Sequence, residues 1–219
     1  MTERRLHTES YDPDCTRCPR LAEFLAETRA RQPGYWARPV PSFGDADPRL
    51  LIVGLAPGMH GANRTGRPFT GDHAGILLYQ TLYDLGLSSG PTSVSGEDGL
   101  ELRHVRIANA VKCVPPENKP LPDEIRRCNA YLTAELRALS SVRAVLALGR
   151  IAHDGVLLAT GLKRGRFPFA HGREHALDES RHLIDSYHCS RYNTQTRVLT
   201  AAMFRQVLAR ACELAALPG

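Results

Sequence analysis

An α/β fold, with a parallel sheet covered by helices on both faces, is predicted by three features of this 219-residue sequence. Four short apolar runs alternate with longer stretches of helical periodicity, the pattern of strand–helix–strand units. Turn-forming Gly, Pro, Ser and Asp residues separate the elements, with no internal repeat and no low-complexity tract. The composition is 42% hydrophobic and 23% charged, ordinary for one globular domain. A chain of this length buries about 70% of its unfolded surface and has a core without cross-links.

The elements follow in order. The first 47 residues form a basic, proline-punctuated approach with a short amphipathic helix at Leu21–Ala30. After Asp47-Pro48, the run Leu50–Leu55 is apolar and short enough for a buried strand. A glycine-rich stretch, Gly54–Gly75, leads to a helix near Ile76–Leu85, and Ser88–Gly99 reads as a loop. Val105–Val111 is the second strand. Four prolines (115, 116, 120, 122) then break the chain before a helix at Asp123–Leu139. Val142–Leu148 is the third strand, followed by a helix from Ile151. Lys163–Gly172 is loop-like, His182–Tyr187 is the fourth strand and Arg197–Leu214 the last helix. The whole chain, 1–219, is expected to be a single domain. Ligands of such sheets bind beyond the carboxyl ends of the strands, so Gly54–Gly61, Asn109–Cys113 and His188–Asn193 should share one site.

Charge and cysteine usage narrow the class. The net charge of +5 permits a negatively charged partner but excludes a polyelectrolyte tail. Only Lys112, Lys119 and Lys163 are lysines, leaving 25 of the 28 basic residues as arginine. Arginine suits bidentate phosphate contacts, although a GC-rich genome gives the same bias. No run is long and apolar enough for a membrane span, and Met1–Asp14 is too polar for a secretory signal. A soluble, cytoplasmic protein is expected. Six cysteines are too few for a disulfide scaffold. Cys15-Thr-Arg-Cys18, with Cys113 and Cys128, offers four thiolates for zinc or an iron–sulfur centre, and spacing alone leaves the metal undecided. Cys212 reads as a core residue.

Three further motifs carry chemistry. Gly54-Leu-Ala-Pro-Gly58 follows a strand, and its backbone N–H groups could meet an anion or carbonyl; it has neither Walker A nor GxGxxG spacing. Asn63–Asp72 places Phe69 between basic groups, as stacking on a nucleic-acid base requires, the alternative being a phenylalanine folded onto the core. His188, at the end of the last strand, could stabilise negative charge on a leaving group. Its neighbour Cys189 points to the opposite face of the strand, which argues against a Cys–His pair. His171-Gly-Arg-Glu-His175 matches the H-x-x-E-H zinc-peptidase string but not its helical context, so the match is set aside as chance.

In order and spacing, these segments resemble the iron–sulfur-containing uracil-DNA glycosylases of family 5, or type B, over nearly the whole chain. The marks are the four cysteines, Gly54-Leu-Ala-Pro-Gly58, Gly66-Arg-Pro-Phe-Thr-Gly-Asp72, Asn109 with Val-Lys-Cys113-x-Pro-Pro after it, and His188. The resemblance implies a three-layer α/β/α sandwich around a four-stranded parallel sheet. It implies a [4Fe–4S] cluster on Cys15, Cys18, Cys113 and Cys128, with Phe69 stacking on a flipped base. Asn109 would read the uracil edge, His188 would stabilise its O2, and Gly54, Ala56 and Gly58 would line the pocket. Arg191, Tyr192 and Asn193 belong to the segment that would enter the duplex, with Arg191 or Tyr192 as the wedge. Leu55 and Ala56 stand where related families keep a water-activating group, so Asp72 is the hypothesis for that role. The expected partner is uracil-containing or otherwise base-damaged DNA, handled by a monomer associated with the nucleoid. Two rival readings remain: a non-catalytic, metal-stapled nucleic-acid-binding protein, and a metal-containing hydrolase of small nucleosides.

Overall fold

The computed structural model describes residues 11–217; the first ten residues of the expected single domain, and its last two, lie outside the described residues. The elements are α1 (Pro19–Arg31), β1 (Phe43–Gly44), β2 (Leu50–Gly54), α2 (Ala62–Thr65), α3 (His73–Asp84), β3 (Val105–Asn109) and α4 (Pro122–Ala138). They continue with β4 (Ala144–Leu148), α5 (Arg150–Ala159), β5 (Glu174–Ala176), β6 (His182–Ser186), α6 (Arg191–Gln195) and α7 (Ala201–Leu214).

One sheet runs in the order β1-β3-β2-β4-β6-β5. Its four central strands are parallel and are the four expected from sequence. The sheet is nevertheless six-stranded, because β1 and β5 add antiparallel edges two and three residues long. Strands that short carry no periodicity to read.

Alternate residues of the central strands enter opposite cores. Leu50, Ile52, Ile107, Leu146 and Ile184 pack with α3 and α7 through Leu78, Leu82, Phe204 and Leu208. Leu51, Val53, Ala108, Val145 and Leu183 face α4 and α5 through Leu132, Leu136, Val156 and Leu157. This two-sided burial explains why β2 and β4 are apolar at every position, and it gives three layers.

Capping residues correct several boundaries. Asp72 Oδ1 accepts from the Gly75 N–H at 2.9 Å, so α3 starts at His73 rather than Ile76. Thr200 caps the last helix, which begins at Ala201 rather than Arg197. Ser190 caps α6, so the expected loop Ser190–Asn193 is the start of a short helix. β3 ends at Asn109 instead of Val111, and β4 begins at Ala144 instead of Val142.

Candidate active site and cysteine centre

The sequence-predicted segments converge at the carboxyl end of the sheet. Gly54 and Asn109 are register partners at the ends of β2 and β3. His188 follows β6, with its Cβ 3.4 Å from where a Cβ on Gly149, after β4, would lie. The chain passes from β2 to β3 on one side and then to β4 on the other, so a crevice opens beyond β2.

Gly54 is glycine for a steric reason. A Cβ there would lie 2.4 Å from Asn109 Oδ1 and 2.6 Å from Phe69 Cζ, closer than packed atoms tolerate. Asn109 is 3% exposed, and its Oδ1 is buried without a hydrogen-bond partner. An unpaired buried acceptor costs roughly 1–3 kcal/mol, so this amide is placed for something other than the fold.

Of the two readings of Phe69, the ring folded onto the core is the one found. It is 6% exposed and packs at the edge of the α3–α7 core. Its ring faces that of His188 at 6.0 Å between centroids and 29° between planes. The residue has φ +54°, a left-handed conformation that an aromatic residue adopts only under constraint. Its surroundings supply the constraint: Tyr79 Oη donates to Pro68 O at 2.8 Å, and a Cβ on Gly75 would sit 1.8 Å from Phe69 O. Arg67 is consumed in the same brace. Its guanidinium is buried, pairs with Asp98, donates to Gly96 O at 2.7 Å and lies over the Phe43 ring.

His188 is half-buried, and desolvation lowers its pKa to about 4. The imidazole is therefore neutral at pH 7 and can donate one N–H. Asn193 Nδ2 donates to the His188 carbonyl at 2.8 Å, so this expected DNA contact turns inward and fixes the backbone that carries His188. Cys189 is fully buried in the α3–α7 core, and burial pushes its thiol up to about 12. A thiol held protonated is no nucleophile.

Asp72 stands beside a cleft of about 640 Å³ whose rim includes Gly58, Gly61, His73 and Arg191. While Oδ1 caps α3, Oδ2 is turned to the glycine loop, 3.4 Å from where a Gly58 Cβ would be. Burial raises its pKa above the ordinary carboxylate value. His73 Nε2 lies 2.9 Å from Thr194 Oγ1 and ties the start of α3 to α6. At the outer surface of α6, Tyr192 is 72% exposed.

The four cysteines gather elsewhere, between α1, α4 and the loop after β3. They line one small cavity with Lys112 and Tyr131, and Cys113 is pushed up by burial and then by the charges of Cys128, Cys15 and Cys18. Cys18 is the N-cap of α1, with Pro19 at its first helical position. The Lys112 N–H donates to Cys128 Sγ at 3.2 Å, and the Tyr131 hydroxyl is buried beside Cys15 without a hydrogen bond of ordinary geometry. Arg20 pairs with Glu124 and joins α1 to α4. Among the described residues, the His, Cys, Asp and Glu side chains whose ligating atoms all come within 4.8 Å of one another are His153, His175 and Asp185, not these thiols. Four sulfurs on one zinc ion, each about 2.3 Å from it, would stand roughly 3.8 Å apart. Ala56 and Met59 of the glycine loop pack against the cysteine cluster.

Sequence reasoning missed the Arg67–Asp98 brace, the edge strands and the inward turn of Asn193. The acid-rich loop Glu97-Asp98 after Arg67 was the one available signal for the first.

A family model described as the uracil DNA glycosylase superfamily matches residues 41–212. A type-5 uracil-DNA glycosylase of Thermus thermophilus is 50% identical over 208 residues, covering 93% of this chain and 94% of that protein. One from Pyrobaculum aerophilum is 44% identical over 96% of this chain and 97% of its own length. A type-4 uracil-DNA glycosylase of Thermotoga maritima is 36% identical over 50% of this chain and 49% of its own. The fold and the site thus define a class, that of the uracil-DNA glycosylase superfamily, and within it the chain belongs to the type-5 uracil-DNA glycosylases.

Proposed function

We propose that this chain repairs DNA by drawing uracil out of the stack into the pocket of Gly54, Phe69, Asn109 and His188, then hydrolysing the N-glycosidic bond. It is a DNA glycosylase, a hydrolase of N-glycosyl bonds that leaves an abasic site. The observation that carries the reading is the Asn109 amide oxygen, buried and unpartnered beside a glycine that gives it room. The amide oxygen can accept from uracil N3–H while its nitrogen donates to O4. Cytosine offers a donor where uracil has O4 and no proton at N3, so the same amide rejects it. A non-catalytic nucleic-acid binder would have no use for a buried, unpaired amide oxygen beside a glycine that makes room for it.

Bond breaking leaves an anionic uracil and an oxocarbenium-like sugar. The base lies against Phe69, and the His188 N–H donates to O2 as charge develops there, strongest in the transition state. Asp72 orients the attacking water through Oδ2 and takes up its proton. Arg191 contacts phosphate, Tyr192 enters the duplex as the wedge, and Gly54, Ala56 and Gly58 shape the pocket wall. Extrusion costs a few kcal/mol and least for a mispaired base, which favours uracil opposite guanine. Other deaminated or damaged bases fit the same chemistry. The protein acts as a monomer, and among its described residues no helix is long and apolar enough to cross a membrane.

Cys15, Cys18, Cys113 and Cys128 would hold a [4Fe–4S] cluster. Support comes from the convergence of the four cysteines on one small cavity, from the N–H···S bond to Cys128, and from the cationic Lys112 beside it. When bound, the cluster supplies a covalent brace between α1, α4 and the loop after β3.

An oligonucleotide with one uracil, incubated with the protein and heated in alkali, tests the activity: scission at that site is expected, and intact DNA overturns the reading. Asn109→Asp puts an acceptor opposite O4, so the ratio of cytosine to uracil release should rise by at least tenfold. An unchanged ratio removes Asn109 from base reading. Asn caps a helix as well as Asp does, so Asp72→Asn should keep the melting temperature within about 2 °C. It should slow single-turnover cleavage by about 10²-fold; an unchanged rate disposes of the water-orienting role.

A further inference from the structure

We propose that His153, His175 and Asp185 form a second metal site, which takes one divalent transition ion of the zinc class between α5 and the β5–β6 pair. The three ligating atoms lie within 4.8 Å of one another and come from three separate elements. Asp185 and His153 are 0% and 1% exposed, and the His175 side chain is 9% exposed.

The hydrogen bonds leave room for a cation. His153 Nε2 is 2.9 Å from the Phe167 carbonyl, which only accepts, so this nitrogen carries a proton. Nδ1 of the same ring stands 2.7 Å from Asp185 Oδ1, hydrogen-bond distance, so in the metal-free protein a proton bridges the pair and a bound ion would take its place. A proton there satisfies only half of the cluster: His175 Nε2 and Asp185 Oδ2 stay buried without a hydrogen-bond partner. They stand 3.7 Å apart, too far for a hydrogen bond. That separation suits two ligands of one ion. Nitrogen and oxygen at about 2.0–2.2 Å from zinc stand roughly 3.4 Å apart at the tetrahedral angle and about 3.7 Å apart when it opens moderately.

The surroundings match those of a metal-binding histidine, which usually donates its far N–H to a carbonyl. His153 does so toward Phe167, and the Pro168 carbonyl faces the His175 ring. Two imidazoles and one carboxylate select zinc, cobalt or nickel over calcium or magnesium. The fourth position is left for water. His175 is the last residue of the H-x-x-E-H string set aside above. His171, its first, instead stacks on Tyr187 at 4.9 Å and accepts the Tyr187 N–H through Nδ1. Asp185 precedes His188 by three residues, so the ion would pin β6 just before the strand delivers the active-site histidine.

The test uses the whole untagged protein with its cysteine site filled as purified, exposed to zinc and then washed by gel filtration. Metal analysis should find one zinc per chain, and X-ray absorption at the zinc edge should show only nitrogen and oxygen ligands near 2.0–2.1 Å. At zinc roughly 100-fold above its Kd, the melting temperature should rise by about 5–10 °C. His175→Gln should retain no zinc and lose that rise. Wild-type protein that keeps no zinc, zinc with sulfur at about 2.3 Å, or an unchanged nitrogen–oxygen zinc in His175→Gln each overturns the proposal. The absorption spectrum of wild type decides even where the variant does not fold.

Discussion

His188→Ala will slow single-turnover uracil excision by about 10²–10³-fold, the loss seen when one well-aimed donor to a developing anion is removed, about 3 kcal/mol of transition-state stabilisation. The fold should survive, because the ring is only half-buried at the mouth of the pocket and the backbone there is held by Asn193. Affinity for uncleaved DNA should change far less than the rate, since the interaction strengthens only as the glycosidic bond breaks. A variant whose rate stays within threefold of wild type would remove His188 from the chemistry. The pH dependence carries a second signature. The His188 pKa near 4 lies below the ordinary 6.5, so the donor stays neutral through pH 6 and 5. Wild-type cleavage should therefore show no acid limb at the pKa of an ordinary histidine. The linked effect on stability has a definite sign. In the unfolded chain His188 takes its proton first, so wild-type stability falls as pH drops from about 6.5 toward 4, and His188→Ala loses that share of the decline.

Cys113→Ser will have the largest effect on stability. With the proposed cluster bound, the cysteines would join α1, the loop after β3 and α4, segments far apart in sequence, and one missing ligand would release that cross-link. Loss of a native cross-link of comparable reach costs about 2–5 kcal/mol, which for a chain of this size lowers the melting temperature by about 5–15 °C. Iron per chain and visible absorbance should fall together. Excision should fall as well, because Ala56 and Met59 of the pocket loop rest on the cysteine cluster. Cys212→Ser gives the contrast: that thiol lies in the core under α7, so its loss costs packing alone and leaves iron content intact. Equal iron and equal melting in Cys113→Ser and wild type would dissociate the cysteines from any metal.

Much of this arrangement was legible in the residues. Continuous apolar runs marked β2 and β4 because both faces of those strands are covered, and the rule that sites lie beyond strand ends brought Gly54, Asn109 and His188 together. What escaped were features set by contacts distant in sequence. Nothing near Arg67 announced that Asp98, thirty-one residues on, claims it. The core reading of Phe69 holds, but the left-handed backbone that buries it is announced by no pattern. Asp72 illustrates a different gap: a single carboxylate caps a helix with one oxygen and faces the glycine loop with the other, and sequence can suggest either role but not both. The grouping of His153 and His175 around Asp185 joins an edge strand too short to read with a helix and a central strand.

The unpaired Asn109 oxygen has an evolutionary consequence. Left without a donor from the protein, it opposes folding by up to roughly 1–3 kcal/mol, and a base bearing an N–H relieves that cost. Selection for heat resistance and selection for repair therefore act on this one atom in opposite directions. A lineage relieved of uracil damage would drift toward an apolar side chain at position 109 and gain stability as it fell silent.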